Sequence, residues 1–123
     1  MKAARILVVE DEMIIARELI MQLRALGHEP LGSARTGQEA IDMAAQLQPQ
    51  LVLMDVHLAG AMDGITAAQA IRSQFGIPIV FLSAFEGSCS LERAKLANPV
   101  GFLAKPFTEY EFGELIGLAL GER

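Results

Sequence analysis

Runs of consecutive apolar residues alternate along this chain with longer stretches in which apolar side chains recur three or four positions apart. The runs have strand length and lack the polar alternation of a sheet with one wet face, so they read as strands covered on both sides. They are "RILVV" at 5–9, "LVLMD" at 51–55, "IVFL" at 79–82 and "GFLA" at 101–104. Residues 29–33, "EPLGS", make a poor strand, assigned because the alternation requires one. The intervening stretches read as amphipathic helices. Residues 13–26 carry Ile15, Leu19, Leu23 and Leu26 on one face and stop at Gly27, a residue suited to ending a helix. Thr36 and Glu39 have capping-box spacing ahead of a helix that presents Ile41, Ala44, Ala45 and Leu47 and ends at Pro49. A third helix, starting at about Asp63, bears Ile65, Ala68, Ile71 and Phe75 until Gly76 and Pro78 break it. A short helix over 89–97 ends before Asn98-Pro99. Thr108 and Glu111 then repeat the capping-box spacing before a last helix with Phe112, Leu115, Ile116 and Ala119.

Strand and helix alternating five times implies right-handed crossovers and a parallel sheet wrapped by helices on both faces, a doubly wound α/β fold. At 123 residues there is room for one such domain, spanning 1–123, and 52% hydrophobic residues suffice for a full core. No apolar run approaches the ~20 residues of a membrane helix. The N-terminal "MKAARILVVEDE" is a strand ending in acids rather than a signal peptide. The lone Cys89 excludes an internal disulfide and fits a reducing compartment. A net charge of −5 disfavours direct binding to nucleic acid. Together these features describe a soluble cytoplasmic domain.

Polar residues gather where the strands stop. Glu10 and Asp11 follow the first strand, Asp55 closes the third, Ser83 the fourth and Lys105 the fifth. In an open parallel sheet the carboxyl ends share one edge, and ligands bind there where strand order reverses. Separate stretches therefore deliver these side chains to one patch. Asp55 poses the sharpest question, because a buried carboxylate is costly unless it is paired or bound to a metal. Alone it could equally be a helix cap; its companions argue for chemistry. Three carboxylates against one ammonium leave a formal charge of −2, and such crowding raises a pKa or recruits a cation. Oxygen ligands without a nearby Cys favour Mg2+ over zinc or copper. With a divalent ion and Lys105, the patch could accept the oxygens of a phosphoryl group, and Asp55 could act as nucleophile.

The segments "ILVVEDE", "LVLMD", "MDG", "FLSA" and "FLAKPF", in this order and spacing, resemble the receiver domain of bacterial two-component response regulators over essentially the whole chain. Each piece is weak by itself and the combination is highly specific. The resemblance implies a flavodoxin-like five-stranded sheet in the order 2-1-3-4-5. It implies that Asp55 is a phosphoacceptor, supplied by a phosphohistidine on a sensor histidine kinase or phosphotransfer protein. Asp11 and Asp55 would ligate Mg2+ with the backbone carbonyl of His57, and Glu10 would act mostly through a bound water. Ser83 would hydrogen-bond one phosphoryl oxygen and Lys105 would pair with another. Ser83 and Phe102 would form the switch, and the Lys105-Pro106 bond would be cis, as X-Pro bonds allow. The domain would catalyse its own phosphorylation and dephosphorylation rather than act on a separate substrate. Three positions depart from the common pattern: the loop "VHLAGAMDG" is longer than usual and lacks a Met-Pro, Ser83 stands for Thr, and Phe102 for Tyr.

Rival chemistries fit less well. A phosphohydrolase of the haloacid-dehalogenase type has a second Asp two residues after its nucleophile, where this chain has His57, and normally a cap domain. A flavin-binding electron carrier must cradle a phosphate with hydroxyls and N–H groups, and "EDEM" would repel it. A receiver-like interaction module that is never phosphorylated is disfavoured by the intact acidic set. Elsewhere, the His57 and His28 rings are expected in solvent and the six methionines in core packing. The segment 85–97, with Gly87, two serines and a thin apolar stripe, is expected to be the switch. It would reshape the 83–120 face for a fused output domain or a second receiver in a homodimer. The chain stops just after the last helix, as expected of a stand-alone receiver or of a piece of a longer regulator.

Overall fold

Five strands form among the described residues of the computed structural model, which are 3–83 and 88–121. They are β1 (Arg5–Val9), β2 (Glu29–Ala34), β3 (Leu51–Asp55), β4 (Ile79–Ser83) and β5 (Gly101–Ala104). All pair in parallel, in the order β2-β1-β3-β4-β5. The crossovers are α1 (Met13–Ala25), α2 (Gly37–Leu47), α3 (Gly64–Phe75), α4 (Ser88–Leu96) and α5 (Glu109–Ala119). Residues 84–87, which include the start of the expected switch segment 85–97, lie outside the described residues.

The uninterrupted apolar strands split by alternation between two cores. Leu7, Val9, Val52, Met54 and Phe81 face one side, where Ala40 and Ala44 of α2, Ile65, Ala68 and Ile71 of α3 and Ala94 of α4 cover them. Ile6, Val8, Leu51, Leu53, Val80 and Leu82 face the other, under Ala16, Leu19 and Leu23 of α1 and Phe112 and Ile116 of α5. A strand with apolar residues at both parities needs helices on both faces.

The weak strand β2 survives because it is an edge. Pro30 lies opposite Ile6, and the register slips by one residue before Val8 meets Ser33. Gly32, at φ +124°, occupies that slip, a backbone conformation that favours glycine.

The helix ends follow the residues that mark them. In α1, the Gly27 N–H donates to the Arg24 carbonyl and the His28 N–H to that of Leu23, each at 3.0 Å, a Schellman closure. That turn folds His28 back against the sheet, so its ring is buried rather than in solvent as expected. Its Nδ1 accepts the Ala4 N–H at 3.0 Å. His57 is exposed. The capping box of α5 is complete: Thr108 Oγ1 accepts the Glu111 N–H at 3.0 Å, and Glu111 Oε1 accepts the Thr108 N–H at 2.8 Å. In α2 only half forms, because Glu39 takes the Arg35 N–H instead of that of Thr36. The methionines are not all core. Met54 is buried and Met43 and Met62 pack at its edge. Met13 and Met21 are exposed, the inner face of α1 being filled by Ala16, Leu19 and Leu23.

Candidate functional site

The chain runs from β1 outward to β2 and returns to β3 on the other side, so order reverses between β1 and β3. This is where a doubly wound sheet opens a crevice at its carboxyl edge. β1 runs into Glu10 and Asp11, β3 ends in Asp55, β4 in Ser83, and β5 runs through Ala104 into Lys105. Sheet pairing fixes their relative heights: Asp55 lies opposite Leu82, and Ser83 opposite Ala104. The Lys105 N–H then donates to the Ser83 carbonyl at 2.9 Å, and the Lys105-Pro106 peptide bond that follows is cis.

Lys105 Nζ sits between two carboxylates, 3.0 Å from Glu10 Oε1 and 3.4 Å from Asp55 Oδ2. Asp11 completes the cluster: one carboxylate oxygen from each of Glu10, Asp11 and Asp55 lies within 4.8 Å of the others. Glu10, Asp55 and Ser83 are buried and Asp11 is half-buried. Burial pushes the Glu10 carboxyl up to about 7, and the Asp55 charge adds to the rise against hydrogen bonds from Lys105 and the Glu12 N–H. Burial works to lower the Lys105 ammonium, but the Asp55 charge and the bond to Glu10 outweigh it and raise Lys105 above the usual lysine range. Three acids held against one cation leave negative charge in excess, and the donor set is all oxygen. These residues suit a hard divalent cation of the Mg2+ kind.

The strand end is held from behind by α3. The Gly64 N–H donates to the Val56 carbonyl at 2.8 Å. A Cβ at Gly64 would stand 1.9 Å from the Asp55 carbonyl oxygen, so only glycine fits. Asp63 caps α3 by accepting the Thr66 N–H at 2.9 Å and also accepts from Arg93 of α4 at 2.8 Å. Burial acts to raise Asp63, but those two partners outweigh it and hold the carboxyl below the usual carboxylate range. In sequence Gly64 was visible only within "MDG", and neither the Asp63–Arg93 pair nor the close approach at Gly64 had a local signal. His57 contributes its N–H to Asp55 Oδ1 at 3.3 Å. Phe102 stands on β5, two strands from Asp55, half-buried and stacked on Phe81 of β4 with centroids 6.2 Å apart.

Residues 6–116 match the family described as response regulator receiver domain. The transcriptional regulatory protein PdtaR of Mycobacterium tuberculosis is 41% identical over 116 residues, covering 94% of this chain and 56% of that protein. The phyllosphere-induced regulator PhyR of Methylorubrum extorquens is 35% identical, over 96% of this chain and 44% of its own length. The chain thus spans about half the length of these relatives. Among solved structures, the signal receiver domain of a modulated diguanylate cyclase from Desulfovibrio desulfuricans superposes with a TM-score of 0.91 at 34% identity, covering 98% of this chain and 96% of that one. The chemotaxis protein CheY4 of Vibrio cholerae superposes at 0.86 and 25% identity, over 97% and 100% of the two chains.

Proposed function

The chain belongs to the response regulator receiver family of two-component signalling, and on that premise we propose that Asp55 is its phosphoacceptor. The observation that carries the assignment is the contact of Lys105 Nζ with both Glu10 and Asp55 at the strand-order reversal, with Asp11 beside them. A carboxylate oxygen of Asp55 attacks the phosphorus of a phosphohistidine on a sensor kinase or phosphotransfer protein. The P–N bond breaks, and the donor ring, protonated on its other nitrogen, leaves as neutral imidazole with the bonding pair.

The residues divide the work. Lys105 exchanges its resting carboxylate partners for a phosphoryl oxygen, a point charge ready in place. Ser83 donates its hydroxyl to another oxygen. Asp11, Asp55 and the His57 carbonyl would hold Mg2+, with Glu10 acting through water; the bound ion supplies positive charge that offsets repulsion between the acids and the incoming phosphoryl group. By this arrangement the domain promotes its own phosphorylation and the later attack of water on the acyl phosphate, in the cytoplasm. The 83–120 face then carries the signal to a fused output region or a partner, as the regulator names of the relatives suggest.

Incubation with acetyl phosphate and Mg2+ tests the assignment. One phosphoryl group should be added, labile to base and to hydroxylamine, and Asp55→Asn should take up none. A phosphate that survives hydroxylamine, or one retained in Asp55→Asn, overturns it.

A further inference from the structure

The loop that leaves Asp55, residues 56–63, is fastened at four points. The His57 N–H donates to Asp55 Oδ1 at 3.3 Å, and Ala59 pairs with Thr36 in a lone parallel bridge. At its far end the Gly64 N–H reaches the Val56 carbonyl at 2.8 Å. The fourth point is Met62. A Cβ built on Gly37, the buried first residue of α2, would lie 2.8 Å from Met62 Sδ, 3.0 Å from its Cγ and 3.1 Å from its Cβ. Met62 therefore occupies the notch left by the missing side chain at 37, packed together with Leu58 against the core beneath α2 and α3.

We infer that Met62, seated over Gly37, is a positioning residue for the cation site: it sets the height of the loop, and through the loop the His57 carbonyl, without touching the ion. The inference rests on the Mg2+ reading above. Mg2+ demands near-ideal octahedral geometry, so a ligand displaced by a few tenths of an ångström binds it less well. A side chain at 37 meets more than the flexible thioether tip; it meets Met62 Cβ, so the loop backbone must give. Emptying the notch with Met62→Ala frees the same backbone from the opposite direction. Neither change touches Glu10, Asp11 or Asp55.

The test is Mg2+ affinity by titration calorimetry on the metal-free chain, with the melting temperature without metal measured alongside and Asp11→Ala as the ligand-loss control. Gly37→Ala and Met62→Ala should each weaken Mg2+ binding by about tenfold, as loss of an outer-shell support does. Met62→Leu, which refills the notch, should restore most of it. A role in packing alone would lower the melting temperature and leave affinity unchanged. Gly37→Ala separates the two readings even if Met62→Ala does not fold, since alanine favours the helix it enters. Wild-type affinity in both variants, or a Met62→Leu protein as weak as Met62→Ala, overturns the inference alone. A wild-type chain that binds no Mg2+ overturns the reading beneath it as well.

Discussion

Among the described glycines with a neighbour in reach, Gly64 has the least room for a side chain. Its absent Cβ would press on a backbone oxygen, that of Asp55, which cannot rotate away as a side chain could. In Gly64→Ala either α3 withdraws or the end of β3 bends, and overpacking of this kind costs roughly 1–3 kcal/mol. The melting temperature should fall, and the phosphorylation proposed for Asp55 should slow, with acetyl phosphate as donor, in the protein that remains folded. Gly76→Ala is the contrast: nothing lies within 4 Å of the added carbon, but φ is +67°, so about 1 kcal/mol is lost with the phosphorylation rate intact. Equal rates in the two variants would refute the link between Gly64 and the acceptor. The positions of Glu10, Asp11, Asp55 and Lys105 were legible beforehand because a strand end is a property of local pattern. The closeness of Gly64 to Asp55 is a tertiary distance with no counterpart in spacing. His28 was misjudged for a related reason, since its burial depends on a turn that delivers it to the start of β1.

At the scale of elements, α4 stands apart from its neighbours. Among its described side chains, 92–96, Ala94 is buried, yet Leu96 is 80% exposed, so this part of α4 offers the sheet little apolar area. Arg93 ties it to the cap of α3 through Asp63, but both side chains are substantially solvent-exposed and such pairs contribute below about 1 kcal/mol. Amides of α4 should therefore exchange hydrogen faster than those of α3, and Arg93→Ala should accelerate them by no more than about fivefold. A beryllofluoride mimic of the phosphoryl group should change protection across 88–105 and leave α2 quiet. Protection changes confined to α2, or an α4 as slow as α3, would sink the view of α4 as the element that responds. Most boundaries were readable because caps and breakers act locally: Thr36, Thr108, Gly27 and Gly76 each end or begin the helix expected of them. β2 was legible only through the alternation, since its own residues argue against a strand and its edge position is what tolerates Pro30. The Arg93–Asp63 tether joins residues 30 apart, a separation with no periodic signature.

Across the whole molecule, the strand-end acids couple folding to proton uptake and, at the proposed Mg2+ site, to metal. Glu10 is nearly inaccessible, and its carboxyl is raised from 4.5 to about 7 by burial and by Asp55. Below the unfolded value of 4.5 both states carry the proton, and above about 7 neither does. Between those limits the folded chain alone holds it, so the metal-free protein gains stability as pH falls from about 8 toward 5. The difference between the two values corresponds to at most about 3 kcal/mol. Lys105 does not oppose this, because its stabilising charge is present throughout that window. Asp63 does not either, because its contribution is lost only as pH falls below the ordinary aspartate value of 3.8. At the proposed Mg2+ site the metal and the proton would compete for the same negative cluster, so metal affinity should climb as pH rises toward 7 and level off above it. Saturating Mg2+ should accordingly shift the stability maximum to higher pH. Denaturant unfolding of wild type and Glu10→Gln, each with and without Mg2+ from pH 5 to 8, isolates the effect, since the glutamine variant has no proton to exchange at that position. A wild-type minus Glu10→Gln difference that stays flat across the range, or a Mg2+ affinity independent of pH below 7, would show that Glu10 does not hold the proton its burial demands.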